Sequence, residues 1–387
     1  MMHIIQIGAY PLSPDLVRGG VEASVYGLAK ELGKSNEVHV FDAPRKGGGM
    51  GTVEEEKNVH VHRTDNPGKW QVSAIRQIKK MVEEIVSLQP DVCHVHGTNL
   101  FAWIMYRKLK KEGLPCVVTV HGLARVEKKN ALKKGFSIKG LVQYLYQGWV
   151  EKRFLGQLPV AVVDTEYVSD MVGRYPIRKK PIMHVVPQGI EEDFFAMSCS
   201  RDSRNILSVG AIGSRKGHLL TLRAFERLRE EGLDIQLVIA GIVAEQTYLG
   251  HLQSVINASK YKESIKLLTN LPKEELKQLY QEAHLFVLHS EEESQGIVFA
   301  EAMASGMPIV TTRVGGVPFV VRHGKNGLLS EYGDVKTFAE GIGRLMEEDN
   351  LWQAMSDASR KMSQNYHWHA ISESIMHLYQ SVIEKIN

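Results

Sequence analysis

Glu293 and Glu301 stand eight positions apart, a little over two turns if one helix carries both. Carboxylates at that spacing can each accept hydrogen bonds from a pair of neighbouring hydroxyls, such as a ribose or a hexose offers. Spacing alone also fits an acidic turn that complements a helix dipole, and Glu291 and Glu292 read that way. Arg215 and Lys216 follow the turn Gly210-Ala211-Ile212-Gly213, just before a helix. Two cations there suit a diphosphate, whose charge they would neutralise as a bond to it breaks. The plainer alternative is a solvated basic turn. Gly296, Ile297 and Val298 open a helix and would present backbone N–H groups to a phosphate. Gly19 and Gly20 also open a helix, where backbone can approach a ligand closely or simply turn. His121, followed by Gly122, ends an apolar run. A histidine at a strand's carboxyl end can reach a ligand, or it can serve as a structural histidine bonded to backbone.

The elements that must position these groups read as repeated strand–loop–helix units. Leu285–Leu288 is an apolar strand, 289–294 a polar loop, and Gly296–Ser305 a small-residue helix. Gly306 ends that helix, Pro308 prevents its return, and Ile309–Thr312 is the next strand, before a Gly315-Gly316 turn. This is the unit of a parallel sheet with helical crossovers, whose ligands bind outside the strands' carboxyl ends. Upstream, the strand His3–Ile7 leads through a long loop to the helix Val21–Leu32. Residues 42–58, Gly- and charge-rich, read as a mobile surface loop. A helix near 72–88 precedes strands at 91–97 and 115–121. After a strand at 161–163, Pro187 and Gly189 mark a change of chain direction. The pattern then restarts with the strand Asn205–Val209, the helix His218–Glu230, the strand Ile235–Ala240 and the helix Tyr248–Asn257. A capped helix, 272–283, leads into Leu285–Leu288. A helix over about 335–363 and a last helix to Ile386 close the chain.

Glu293-x7-Glu301, followed by Ala-Met-Ala-Ser-Gly-Met-Pro and Gly315-Gly316-Val317-Pro318, resembles the donor-site signature of glycosyltransferase family 4. The resemblance extends along most of the chain, through His121, 182–195 and Arg215-Lys216. It implies an α/β chain of GT-B fold: two doubly wound Rossmann-like domains facing a cleft, with retaining transfer from a nucleotide sugar. The expected domains are 1–187, on the acceptor side, with 367–387 packing back on it at Trp368, and 188–366, binding the donor. The resemblance implies diphosphate contacts at Gly19 and Gly20, with Glu22 at an acidic family position. It implies sugar contact by His121 and Glu293, phosphate binding by Arg215 and Lys216, ribose binding by Glu301 and base contact by Leu271. Two departures bear on the donor pocket: Gln295 stands where the family often has an aromatic residue, and Phe319 where it often has Glu. A family glycine is also replaced, at Thr269 or Asn270.

With 387 residues, two domains are expected. A net charge of +3 gives no reason to expect nucleic acid as a partner. Cys93, Cys116 and Cys199 read as reduced thiols of a cytoplasmic protein. No run approaches the ~18 apolar residues of a membrane span. His-x-His occurs at 60/62, 94/96 and 367/369, but no third ligand follows at a regular spacing and no Asp-x-Asp is present. No metal or other cofactor is therefore expected; the nucleotide sugar is a substrate. Within 125–158, Arg125, Lys128, Lys129, Lys133, Lys134 and Lys139 precede an aromatic helix containing Leu141, Val142, Tyr144, Leu145, Tyr146, Trp149 and Val150. That pattern fits an anionic membrane surface or a helix packed on a sheet with a solvated basic face.

The partners expected are a nucleoside-diphosphate sugar of UDP or GDP type and a glycan or lipid-linked acceptor, as in bacterial surface-polysaccharide or glycolipid assembly. The place expected is cytoplasmic, with possible peripheral contact at the inner face of the membrane. The rivals are a nucleotide-sugar 2-epimerase or phosphorylase on the same fold, and a non-catalytic nucleotide-sugar-binding subunit. A dehydrogenase fits less well, because no Gly-x-Gly-x-x-Gly follows the first strand.

Overall fold

Strands with helical crossovers build two sheets in a computed structural model, which describes residues 1–13, 17, 19–42, 51–63, 73–135 and 137–385. The chain divides into two compact units, one of Met1–Gln188 with Trp368–Asn387, the other of Gly189–His367.

The first unit runs β1 (His3–Gly8), α1 (Gly20–Gly33), β2 (Glu37–Asp42), β3 (Gly51–Glu56), β4 (Val59–Arg63) and α2 (Ser73–Ser87). It continues with β5 (Val92–His96), α3 (Leu100–Lys111), β6 (Cys116–Val120), α4 (Ala124–Lys134), α5 (Ile138–Leu155), β7 (Val160–Val163), α6 (Glu166–Gly173) and β8 (Ile182–Val185). The strand order is β3-β4-β2-β1-β5-β6-β7-β8, parallel except for β3 against β4. Both faces are covered, so the strands are apolar on both. Ile4, Val38, Val40, Val92 and Val117 pack on one side; Ile5, Ile7, Phe41, Val95 and Val118 pack on the other.

The second unit runs α7 (Asp193–Ala196), β9 (Asn205–Val209), α8 (His218–Glu230), β10 (Gln236–Gly241), α9 (Gln246–Ala258), β11 (Ile265–Thr269) and α10 (Lys273–Glu282). Then come β12 (Leu285–Leu288), α11 (Ile297–Ala304), β13 (Ile309–Thr312), α12 (Val317–Val320), β14 (Gly327–Ser330), α13 (Val335–Glu347) and α14 (Asp349–Ser363). Its sheet is wholly parallel, ordered β11-β10-β9-β12-β13-β14. The order reverses between β9 and β12, and such switch points open a crevice at the strands' carboxyl ends. The last helix, α15 (Trp368–Ile383), belongs to the first unit. There the Trp368 indole lies where a Cβ on Gly27 would come within 2.2 Å of it.

Several sequence expectations need correction. Residues 51–56, expected within a mobile loop, form the strand β3. Asn58 permits the tight return to β4 because it takes the left-handed conformation, φ 67°. Residues 43–50 of that expected loop lie outside the described residues. The single helix expected over 335–363 is two, broken at Glu348, where ψ is 85°. The aromatic helix expected after the basic residues is α5, and a separate helix, α4, precedes it; the Lys133 and Lys134 side chains lie outside the described residues. No helix among the described residues is long and apolar enough to cross a membrane.

Candidate active site

In the second unit, the loops leaving β9 and β12 meet at the switch point. Lys216 reaches from the first and Glu293 from the second, and they pair at 2.5 Å. Both are largely buried, with side chains 13% and 6% exposed. Ser290 Oγ donates to the same Glu293 oxygen at 2.9 Å. Two backbone approaches fix the loops. Gly217, φ +64°, lies where a Cβ would come within 2.0 Å of the His289 carbonyl. Gly315, φ +51°, lies where one would come within 2.1 Å of the Glu293 carbonyl. Only glycine satisfies both the space and the conformation at these positions. The Gly315-Gly316 turn thus clamps the Glu293 loop, with the Gly316 N–H donating to the Glu293 carbonyl at 2.8 Å. The Arg215 side chain is exposed beside Lys216, and its carbonyl accepts from the Glu291 N–H at 2.9 Å.

The α11 helix starts at Ile297, with Gly296 in the left-handed conformation before it. This corrects the expectation that Glu293 and Glu301 share one helix: Glu293 precedes it, in the loop. The first N–H groups of α11, at Ile297 and Val298, lie in a half-exposed turn. Glu301 lies one turn further on, half-buried, and its Oε2 accepts from the Tyr280 hydroxyl at 2.7 Å. Desolvation pushes the Glu301 carboxyl up to about 7, nearby Glu191 adds to the rise, and the Tyr280 hydrogen bond opposes it. Leu271 is half-buried after β11 and packs on the apolar cluster that holds Phe286 and Phe299. Asn270, one of the two positions where the family glycine is replaced, takes φ 53° and its Oδ1 accepts from the Val243 N–H.

In the first unit, His121 follows β6 directly and is buried. Its Nδ1 lies 3.1 Å from Asp164 Oδ2, which also accepts from Gln188 Nε2 at 2.6 Å. Its Nε2 lies 3.2 Å from His96 Nδ1, with the two rings stacked. His94 continues this row. It bonds Thr119 at 2.6 Å and Tyr379 of α15 at 2.7 Å, and burial pushes it down to about 3. His96, read as structural, is thus a buried partner of His121. Gly20 is the first residue of α1, 3.3 Å from Gln188 Oε1 if a Cβ is added. Gly19 has extended backbone, φ 174°, and an added Cβ would meet no described atom within 4 Å.

Four partners escape a reading of sequence: Ser290, Tyr280, Asp164 and Gln188. Asp164 alone gave a signal, since it directly follows β7, just before the capping Thr165 of α6. On α5, Ile138, Val142, Leu145, Tyr146 and Trp149 are 47% to 76% exposed. Their spacing makes one apolar stripe. Exposed Lys139, Lys152 and Arg153 lie on the same helix, and the Arg153 guanidinium sits 5.7 Å from the Trp149 ring centre.

Comparisons with known proteins cover both units. Residues 190–362 match the family described as Glycosyl transferases group 1, and residues 18–194 match Glycosyltransferase Family 4. A D-inositol 3-phosphate glycosyltransferase of Corynebacterium jeikeium is 30% identical over 287 residues, 70% of this chain and 67% of that protein. Among solved structures, sucrose-phosphate synthase from Thermosynechococcus elongatus superposes with a TM-score of 0.84 at 18% identity, covering 100% of both chains. HepE from Anabaena, in complex with UDP and glucose, superposes at 0.75 with 17% identity, covering 98% of this chain and 100% of that one.

Proposed function

The chain belongs to the glycosyl transferases of group 1 and is a glycosyltransferase of GT-B fold, and we propose that it moves a sugar from a nucleoside-diphosphate sugar to an acceptor hydroxyl with retention of configuration. The observation that carries this reading is the Lys216–Glu293 pair at the switch point of the second sheet. With a donor bound, the paired cation and carboxylate would each take one end of the bond that breaks, Lys216 the phosphate and Glu293 the sugar. Lys216 and Arg215 neutralise the diphosphate as the anomeric C–O bond breaks and its electrons pass to the phosphate oxygen. The N–H groups of Ile297 and Val298 add to that neutralisation. Glu293 holds sugar hydroxyls and offsets the positive charge that develops on the ring. The acceptor oxygen attacks the same face, and its proton passes to the departing phosphate oxygen, so no separate general base is needed. Glu301 accepts from the ribose hydroxyls, Leu271 borders the base, and His121 contacts the sugar.

The UDP and glucose named for HepE support a UDP-type donor carrying a hexose. The exposed stripe of α5, beside basic residues, supports an acceptor presented at an anionic membrane surface. A lipid-linked acceptor, of the kind used in surface-glycan or glycolipid assembly, fits it.

The test is a thermal-shift panel with UDP, GDP, ADP, CMP and NAD, followed by product analysis with the matching sugar nucleotide. A ligand at 100 Kd stabilises by about 2.7 kcal/mol. A shift with one nucleoside diphosphate, and a product with the donor's anomeric configuration, is the expected result. A shift with NAD alone, or an inverted product, overturns the reading.

A further inference from the structure

We propose that the first unit carries a Zn2+-type divalent-cation site made by Glu37, His39 and His60. Their donor atoms all lie within 4.8 Å of one another. Glu37 and His39 are two residues apart on β2 and share a face. His39 pairs in register with His60 on β4, and their rings stack at 4.8 Å. The third donor comes from a neighbouring strand, which is why the histidines of β4 alone give no ligand spacing. Two imidazoles and a carboxylate make the nitrogen–oxygen set that binds zinc with three protein ligands and one open position. A four-coordinate zinc at about 2.05 Å from each donor sets the donors roughly 3.4 Å apart, so the stacked His39 and His60 rings would have to turn toward the ion on binding.

The hydrogen bonds around His39 are one hydrogen short. A chain runs from Glu84 Oε1 to His62 Nδ1 (2.7 Å), from His62 Nε2 to His39 Nδ1 (2.9 Å), and from His39 Nε2 to Glu37 Oε1 (3.2 Å). Three contacts need three hydrogens, and two neutral imidazoles supply two. If Glu84 and His62 take theirs, a nitrogen lone pair of His39 faces the Glu37 carboxylate. A cation between them would satisfy that nitrogen and Glu37 Oε1, while Glu37 Oε2 faces His3 Nε2 at 3.2 Å. His62 and Glu84 then form the outer layer that fixes the ligand's tautomer. The site lies toward the amino ends of β2 and β4, away from the strand ends where His121 stands, so it is independent of the transferase reading.

The experiment is titration of the full chain with ZnCl2 after chelator treatment, read by calorimetry and by thermal midpoint. One equivalent is expected to bind and raise the midpoint. His60→Ala, on a half-exposed strand position, is expected to abolish that equivalent and leave the metal-free midpoint unchanged. His62→Phe, stacked on Phe41 as the imidazole is, is expected to lower affinity about 10–100-fold. No stoichiometric binding, or binding that survives His60→Ala, overturns the site; the third hydrogen is then a proton shared by the histidine pair.

Discussion

Lys216 and Glu293, 77 residues apart in sequence, neutralise one another in the crevice between β9 and β12. Each is also the other's solvation, so removing one leaves a nearly buried charge. Lys216→Ala is expected to lower turnover by about 10²-fold or more, the scale of one lost electrostatic group. Glu293→Gln is expected to lower it as well, and the double variant to lose less than the product of the two. Steady-state rates of all three variants check this coupling.

If Glu301 takes the proposed ribose role, nucleotide binding is expected to depend on pH. Its carboxyl titrates near 7 in the folded chain against 4.5 ordinarily, so between those values the folded state keeps a proton that the unfolded state has lost. Its contribution to stability is therefore fully present below 4.5 and is lost as pH rises to about 7. Ribose hydroxyls need the ionised form as acceptor. Donor affinity is thus expected to rise from pH 6 to pH 8, with proton release on binding. Glu301→Gln is expected to raise the thermal midpoint at pH 8 but not at pH 4.5, while weakening nucleotide binding. Unchanged nucleotide affinity would remove the ribose role.

Asp164 holds one nitrogen of His121 and therefore its tautomer. Asp164→Asn replaces an acceptor by a group that can also donate. Loss of a hydrogen bond to a charged group costs about 1.5–3 kcal/mol, roughly 10–100-fold in rate. That loss is expected in kcat with nucleotide affinity unchanged, and nitrogen NMR of the His121 ring would report the tautomer change.

Gly19 and Gly27 are expected to respond in opposite ways to alanine. At Gly19 no described atom opposes a Cβ, so Gly19→Ala is expected to keep the thermal midpoint and weaken donor binding about tenfold. At Gly27 the Trp368 indole occupies the space, so Gly27→Ala is expected to cost about 1–3 kcal/mol of stability. Thermal unfolding and donor titration of both variants separate the two effects.

The exposed stripe of α5 predicts binding to anionic vesicles. Leu145→Ser with Trp149→Ser is expected to reduce co-sedimentation with phosphatidylglycerol vesicles at least tenfold and to leave nucleotide binding unchanged. Equal sedimentation of both proteins would remove the membrane surface from the reading.

The unit around β12, α11 and β13 was legible because apolar runs there are bounded by Gly306 and Pro308, which permit few alternatives. The strand β3 was not, because its acidic residues 54–56 hide a strand whose turn depends on one left-handed asparagine. Arg215, Lys216 and Glu293 could be read because loops at strand ends carry them. Their supports could not: Tyr280 meets Glu301 from another helix, and Gln188 meets Asp164 across 24 residues. Such contacts follow from sheet order, which pairs residues that local pattern leaves unrelated. The cluster of Glu37, His39 and His60 is hidden for the same reason.

The return of α15 to the first unit orders events during synthesis. A ribosome has passed Gln188 when it begins the second unit, yet Trp368 and Tyr379 are still untranslated. Until they emerge, the groove at Gly27 is uncovered and His94 lacks the Tyr379 hydroxyl. The second unit, contiguous from Gly189 to His367, can complete its fold on the nascent chain first. Of the two units, the one begun first is therefore the last to be finished, and α15 acts as its closing clasp.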